Sequence, residues 1–267
     1  MCHRMTCSRT LGGTLHCQMP TRGEPTMRDV DFRERVSGKS YISLLEDIHK
    51  KTKPTTYFEI GVQFGDTIKL AECATIGVDP RFRCETNIIG GKPICQLFQQ
   101  TSDAFFEQHN PSAILGRPID LAFLDGMHLF EFLLRDFINT EKHCAPESVI
   151  ALHDCLPPGF YMTSRDMADA NHPHSAFPGW WTGDVWKMVP TLQKYRPELS
   201  LTIIDSAPTG LVLITDLNPA NNTLSENYGK IIADFQAMDR DEFTGYWSRV
   251  QVTSTALLNL TELRPFN

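Results

Sequence analysis

TYFEIGVQFGDTIKLAECATIGVD, residues Thr56–Asp79, is the stretch on which the fold turns. Thr56–Ile60 is an apolar run of strand length that stops at Gly61. Gly65–Cys73 then reads as a helix, and Thr75–Val78 as a second, short strand closed by Asp79-Pro80. Neither strand alternates apolar with polar residues. A strand without that period of two is covered on both faces, and a strand, helix, strand order makes the two strands parallel.

The pattern extends in both directions. Upstream, Tyr41, Leu44, Leu45 and Ile48 recur at spacings of three and four and predict a helix over Ser40–Lys50. Downstream, Ile94–Phe98 reads as the third strand, followed by a helix over Asp103–Gln108 capped by Thr101 or Ser102. Ile119–Leu124 is a buried strand ending at Asp125-Gly126, Phe130–His143 an amphipathic helix, and Ser148–Leu152 a strand ending at His153-Asp154. Cys155–Gly183 is loop-like, Asp184–Tyr195 helical, and Ser225–Val250 helical again. Only Asp205-Ser206-Ala207-Pro208-Thr209 separates Leu201–Ile204 from Gly210–Ile214, a connection that neighbouring strands can use only if antiparallel. The expected fold is α/β: a Rossmann-like, seven-stranded, mostly parallel sheet with an antiparallel last strand and helices on both faces. Residues 29–267 are expected to form a single domain. Met1–Thr26 lacks periodicity and is rich in Cys, Thr, Arg and Gly, so residues 1–28 are expected to be a disordered extension, with Met27 as an alternative start.

Composition narrows the function. The chain has 267 residues, 41% of them hydrophobic, and a formal net charge of -7. A mildly acidic chain has no electrostatic reason to follow a phosphate backbone, which argues against a nucleic-acid partner. No run approaches the about 18 apolar residues of a membrane span, and Met1–Arg28 has no apolar signal core. The eight cysteines form no C-x-x-C pair. Reduced thiols and a cytoplasmic location are the expectation. Homo-oligomerisation is left open.

Two groups of residues point to chemistry. In an open parallel sheet ligands bind beyond the carboxyl ends of the strands. Gly61 and Gly65 would let the backbone approach a ligand there, and Asp79 could accept hydrogen bonds from both hydroxyls of a ribose. The same residues would also serve a plain structural turn. The nicotinamide pattern G-x-G-x-x-G is not matched, because Val62-Gln63 follow Gly61. The second group closes the next two strands: Asp125-Gly126-Met127-His128 and His153-Asp154. Two carboxylates sharing a small space repel unless a proton or cation intervenes, and Mg²⁺ is the natural hard ion. His128 has the side chain suited to taking a proton near neutrality. Against this stand simpler roles: Asp125 as a helix cap, His153 as a core histidine.

The glycine turn with its flanking acids resembles class I methyltransferases that use S-adenosylmethionine (SAM). The resemblance implies Glu59 near the methionine end of SAM, Gly61 and Gly65 in the turn, Asp79 on the ribose, and Thr101, Ser102 and Asp103 by the adenine. Asp125 is also placed against the cofactor. Residues Asp120–Pro157 are similar to the group of macrocin-type sugar O-methyltransferases and so-called cephalosporin hydroxylases. That likeness implies Asp125 and Asp154 on Mg²⁺ and His128 with Asp125 in catalysis, with a small-molecule hydroxyl, of a sugar or phenol, as acceptor. His153 stands where a third carboxylate ligand would be. Two alternatives remain at this stage, a nicotinamide-dependent oxidoreductase and a non-catalytic SAM-binding protein. Trp180, Trp181 and Trp186 crowd the junction before Asp184-Tyr195 and suggest a wall or lid for the acceptor, or simple anchors for the helix.

Overall fold

The computed structural model describes residues 28–236, 238–263 and 265–266, so the expectation for residues 1–27 lies outside the described part of the chain. Seven strands form one sheet: β1 (Thr56–Ile60), β2 (Ala74–Val78), β3 (Cys95–Phe98), β4 (Ile119–Leu124), β5 (Cys144–His153), β6 (Ser200–Ile204) and β7 (Leu211–Thr215). Their order is β3-β2-β1-β4-β5-β7-β6, with β7 antiparallel to both neighbours and the other pairings parallel. This is the expected Rossmann-like architecture. The helices are α1 (Tyr41–Thr52), α2 (Ser102–Gln108), α3 (Pro111–Leu115), α4 (Phe130–Glu141), α5 (Met188–Tyr195), α6 (Thr223–Glu226), α7 (Tyr228–Gln236) and α8 (Arg240–Arg249).

Side-chain alternation along each strand divides the core into two layers. Phe58 and Ile60 of β1, Ala122 and Leu124 of β4 and Ile150 and Leu152 of β5 pack under α2, α4, α5, α7 and α8. Tyr57, Leu121, Phe123, Val149 and Ala151 face the other way, where α1 supplies Leu44, Leu45 and Ile48. Burying three such side chains contributes about 1.5–3 kcal/mol each before the entropy of ordering them.

The second layer is thinner than expected, because Gly65–Cys73 does not form a helix. Only Ile68–Leu70 makes a 3-10 turn. Gly61, Gln63 and Gly65 all have positive φ, so the segment leaves the strand through left-handed turns. Too few residues then remain before Ala74 for a helix to cross the sheet and return. The predicted tail helix is likewise broken, into α6, α7 and α8. Asp184 does not cap its own segment. Its Oδ1 accepts from the Phe130 N–H at 2.8 Å and so caps α4 from across the loop.

Sheet register fixes the site. Ile60 pairs with both Val78 and Leu124, and Leu124 with Leu152. The residues that follow, Gly61, Asp79, Asp125 and His153, therefore emerge level with one another at the carboxyl edge.

Candidate active site

Along that edge runs a cavity of about 550 Å³, from Thr101 and Ser102 past Asp79 and Gly61 to Asp125, His128, His153, Asp154 and Trp181. Its size is that of a small-molecule or cofactor site. A second cavity, about 370 Å³, is lined by Arg165, Asp184, Lys187 and Gln236 and by none of the residues that close the strands.

At the cofactor end the expected residues divide by whether they line the cavity. The Asp79 carboxylate lines the cavity, with Oδ2 accepting from the Gln63 N–H at 2.8 Å and Oδ1 from the Arg81 N–H at 2.6 Å. These bonds fix the carboxylate and leave each oxygen a free lone pair. Gly61 lines the cavity too, but the constraint on it is the neighbouring strand. A Cβ there would lie 1.9 Å from the backbone oxygen of Asp125, and φ is +91°. Gly65 is crowded by side chains, Ile88 and Cys84, and stands outside the cavity lining.

Glu59 and Asp103, like Gly65, stand outside the cavity lining. Glu59 is fully buried on the α1 side of the sheet, with Tyr57 Oη donating to one carboxylate oxygen at 2.6 Å and Thr67 Oγ1 to the other at 2.7 Å. It ties the glycine turn to β1 and does not line the cavity, and burial pushes its pKa up to about 8. Asp103 is likewise outside the cavity lining. Its carboxylate makes a two-pronged pair with Arg135, at 2.8 and 2.7 Å. Ser102 does line the cavity, held by an acid the sequence reading missed, Asp136. Asp136 is buried on α4, and burial pushes its pKa up to about 7 despite the Ser102 hydroxyl bonded to it. A signal existed, since Asp136 sits among Leu133, Leu134 and Phe137 on the apolar face of the helix.

The other end holds four ionisable groups in contact. His128 reaches Asp125 Oδ1 through Nε2 at 3.4 Å and Asp154 Oδ2 through Nδ1 at 3.3 Å. His153 Nδ1 lies 3.2 Å from Asp125 Oδ1 and 3.4 Å from Asp154 Oδ1. Burial opposes charge on His128, yet Asp154 and Asp125 raise its pKa to about 9. Burial would likewise favour the neutral acid at Asp125, but the imidazoles of His153 and His128 hold it well below the usual carboxylate range. Asp154 adopts φ of +61°, a conformation rare outside glycine, and the Thr209 hydroxyl donates to its Oδ1. Tyr41 covers His153, with ring centroids 4.0 Å apart. Neither Tyr41 nor Thr209 carries a sequence signal, because each is brought in from a distant element.

The tryptophans divide. Trp186 is a core anchor and Trp180 lies on the surface against Phe177. Trp181 stacks on His128, centroids 5.1 Å apart, and forms one wall of the cavity. Its loop is latched: Trp181 Nε1 donates to the Ser164 carbonyl at 2.7 Å, and a Cβ on Gly183 would strike the His128 oxygen.

Asp125, His128 and Asp154 offer ligand atoms within 4.8 Å of one another, the spacing of a metal site. Asp125 Oδ1 and His153 Nδ1 are close enough for an ion pair but are not aligned as a hydrogen bond, and both are buried without a partner. Mg²⁺, however, demands an octahedron of oxygens, and half of the groups here are imidazoles. The donor set does not fit Mg²⁺, and no step below runs through it.

The strand order is that of a Rossmann-like α/β fold, with a ligand-sized cavity at the carboxyl edge of its parallel strands. Residues 36–155 match the family described as a methyltransferase domain. Among solved structures, cofactor-bound Rv0187 from MTB is 13% identical and superposes with a TM-score of 0.50, covering 66% of this chain and 80% of that one. The O-methyltransferase TomG from Streptomyces achromogenes, of tomaymycin synthesis and solved with SAM, is 16% identical over 66% of this chain and 79% of that one, with a TM-score of 0.48. An O-methyltransferase from Bacillus cereus, solved with SAH, is 13% identical over 65% and 79%, with a TM-score of 0.45. At 13% identity, what is shared with Rv0187 is the fold. No curated protein matches the chain. The match to the methyltransferase domain thus covers the part of the chain that carries β1 to β5. Among the described residues no helix is long and apolar enough to cross a membrane.

Proposed function

We propose that this protein binds SAM along the cavity and transfers its methyl group to a hydroxyl of a small molecule held at the His128 end. The observation that carries this reading is one continuous cavity running from the fixed carboxylate of Asp79 to the Asp125–His128–Asp154 cluster. In the reaction the acceptor oxygen attacks the methyl carbon and the carbon–sulfur bond breaks. S-adenosylhomocysteine leaves neutral, and the acceptor's proton passes to the unprotonated form of His128, which grows as pH rises towards its pKa of about 9. SAM is an activated donor, so the protein's share is alignment and proton removal. Trp181, Met127 and Met167 offer an apolar wall for the acceptor's body beside that polar end. A neutral metabolite with a sugar- or phenol-type hydroxyl suits these surroundings better than a nucleic acid. The free thiols among the described residues suit the cytoplasm.

A nicotinamide cofactor is disfavoured on a second ground besides the glycine spacing. No α-helix starts at the glycine turn, so no helix N-terminus is offered to a pyrophosphate. Calorimetry with SAM and NAD, then mass-spectrometric detection of methylated product over a panel of hydroxyl acceptors, tests the proposal. Absence of SAM binding would refute it. SAM binding with no turnover on any acceptor would favour a non-catalytic binding protein.

A further inference from the structure

We propose that two copies of this chain associate through β3, which pairs antiparallel with its own counterpart across a two-fold axis at Gln96 and joins the two sheets into one. The inference goes beyond the reading above and does not depend on it. β3 ends the sheet beside β2, and among the described residues no strand lies beyond it. Residues 94–100, ICQLFQQ, contain no charge, no proline and no glycine. Edge strands are kept from pairing by charge, proline or a cover, and an uncharged β-prone run left open invites aggregation. Such an edge calls for a partner.

The ladder to β2 shows which backbone groups are free. The Thr75 N–H donates to the Ile94 carbonyl at 2.9 Å and the Asp79 N–H to the Phe98 carbonyl at 3.2 Å, with Thr75 level with Cys95 and Gly77 with Leu97. A parallel ladder uses alternate residues of each strand. Gln96 and Phe98 therefore face β2, while Cys95 and Leu97 aim their N–H and C=O groups outward. Two such residues, two apart, are what an antiparallel copy of the same strand needs. With the axis at Gln96, Cys95 of each copy pairs with Leu97 of the other, and every one of these free groups finds a partner. Gln96 then stands opposite its own counterpart in the non-hydrogen-bonded position, and Leu97 lies diagonal to its counterpart at about 7–8 Å.

The surface beside this edge is bare for the reason that the second core layer is thin. No helix lies between β2 and β3, and only the short 3-10 turn Ile68–Leu70 lies between β1 and β2. Leu97 instead packs over Gly77 beside Ile68 and Val62, and Ile88 packs against Gly65. Phe64, Ile89, Ile94 and Leu97 stay 51, 48, 48 and 40% exposed. Half-exposed side chains of this size leave roughly 400 Å² of apolar surface, in the range of patches that mark an interface. A two-fold axis counts the patch twice. With the strand backbones and glutamine side chains added, the pair approaches the about 1,200 Å² at which specific interfaces begin. Charge favours this edge over the rest of the surface as the place where two copies meet. The chain carries a net charge of -7, yet residues 94–100 offer a copy nothing to repel. The contact uses the same patch on both chains and closes at two, so the open edge is consumed rather than extended.

The test uses the full-length chain in analytical ultracentrifugation at micromolar concentration, where we expect the mass of two chains. Leu97→Lys brings two ammonium groups together across the axis and should weaken self-association on the order of a hundredfold, with the circular dichroism spectrum unchanged. Register is tested by crosslinking in a Cys95→Ser background. Residues opposed in a non-hydrogen-bonded pair have Cα atoms about 4.5 Å apart, within disulfide reach. Gln96→Cys should therefore give a disulfide-linked dimer under oxidised glutathione, read on a non-reducing gel. Gln99→Cys, exposed on the same edge but far from its counterpart in this register, is the control and should crosslink no more than the background chain. The crosslink introduces no charge, so it decides the matter should Leu97→Lys fail to fold. A wild-type monomer, a dimer untouched by Leu97→Lys, or equal crosslinking of the two cysteine variants would each overturn the proposal.

Discussion

Replacing Glu59 separates two accounts of the glycine turn. The family resemblance puts this acid beside the cofactor, whereas the structure buries it and engages both oxygens with the Tyr57 and Thr67 hydroxyls. In Glu59→Ala both hydroxyls lose their acceptor in places that are almost dry, Tyr57 at 0% and Thr67 at 6% exposure. Each unsatisfied group costs about 1–3 kcal/mol. A combined loss of about 3 kcal/mol would lower Tm by roughly 6–12 °C in a chain of this size. Glu59→Gln keeps the shape and one acceptor, and either hydroxyl can turn to accept from the new amide, so its cost should stay within about 1 kcal/mol. The pH dependence gives a further check. Burial raises the Glu59 pKa to about 8 from the ordinary value of 4.5. A raised pKa contributes stability that is fully present below 4.5 and is lost as pH climbs through about 8. Wild-type protein should therefore lose Tm between pH 5 and 9 more steeply than Glu59→Gln, as followed by circular dichroism. SAM affinity of Glu59→Gln, measured by calorimetry, should stay near wild type. A tenfold or greater loss of affinity with Tm unchanged would show that the acid is a ligand after all, and the burial argument would be wrong.

Three further substitutions probe the cavity. Asp79→Asn removes the charge but keeps an acceptor for the turn, and should weaken SAM by about 10- to 100-fold, the worth of a charged hydrogen bond, with Tm little changed. Gly61→Ala should lower Tm by at least about 5 °C and abolish SAM binding, since left-handed strain of about 1–3 kcal/mol adds to the collision with Asp125. His128→Gln should leave SAM affinity intact while turnover on a responsive acceptor falls about 10²–10⁴-fold, and full turnover would remove His128 from proton transfer.

What the sequence made legible follows from which interactions are local. The strands β1, β2, β4 and β5 are buried on both faces, so their apolar runs stand out, and the acids that close them were found because they sit directly after those runs. Asp79 and Asp125 needed nothing more than adjacency. Glu59 and Asp103 misled because adjacency does not say which way a side chain points. Glu59 shares its face with Tyr57, one pleat away from Ile60, and so looks towards α1 rather than the ligand edge. Asp103 follows the cap residue Thr101 by two, which turns it outward to Arg135 and leaves Ser102 inward. The helix over Gly65–Cys73 failed for a related reason, since apolar spacing cannot register that three positive-φ residues consume the length a helix would need.

The least local feature is the one on which the chemistry depends most. Asp154 and His153 are held by Thr209, which enters from the start of β7, and by Tyr41, which enters from the first turn of α1. Both reach His153, and Ser40 pairs with Ala207, tying the first α-helix to the connection before the antiparallel strand. The antiparallel β7 thus does more than complete the sheet. By running against β5 it brings its own beginning, rather than its end, to the carboxyl edge where β5 finishes, with Leu211 paired to His153. A parallel strand in that place would put its last residue there, and the hydroxyl that orients Asp154 would have to come from elsewhere. The direction of one strand, which the short Asp205–Thr209 connection already required, is what lets a threonine reach the acid and the imidazole at once.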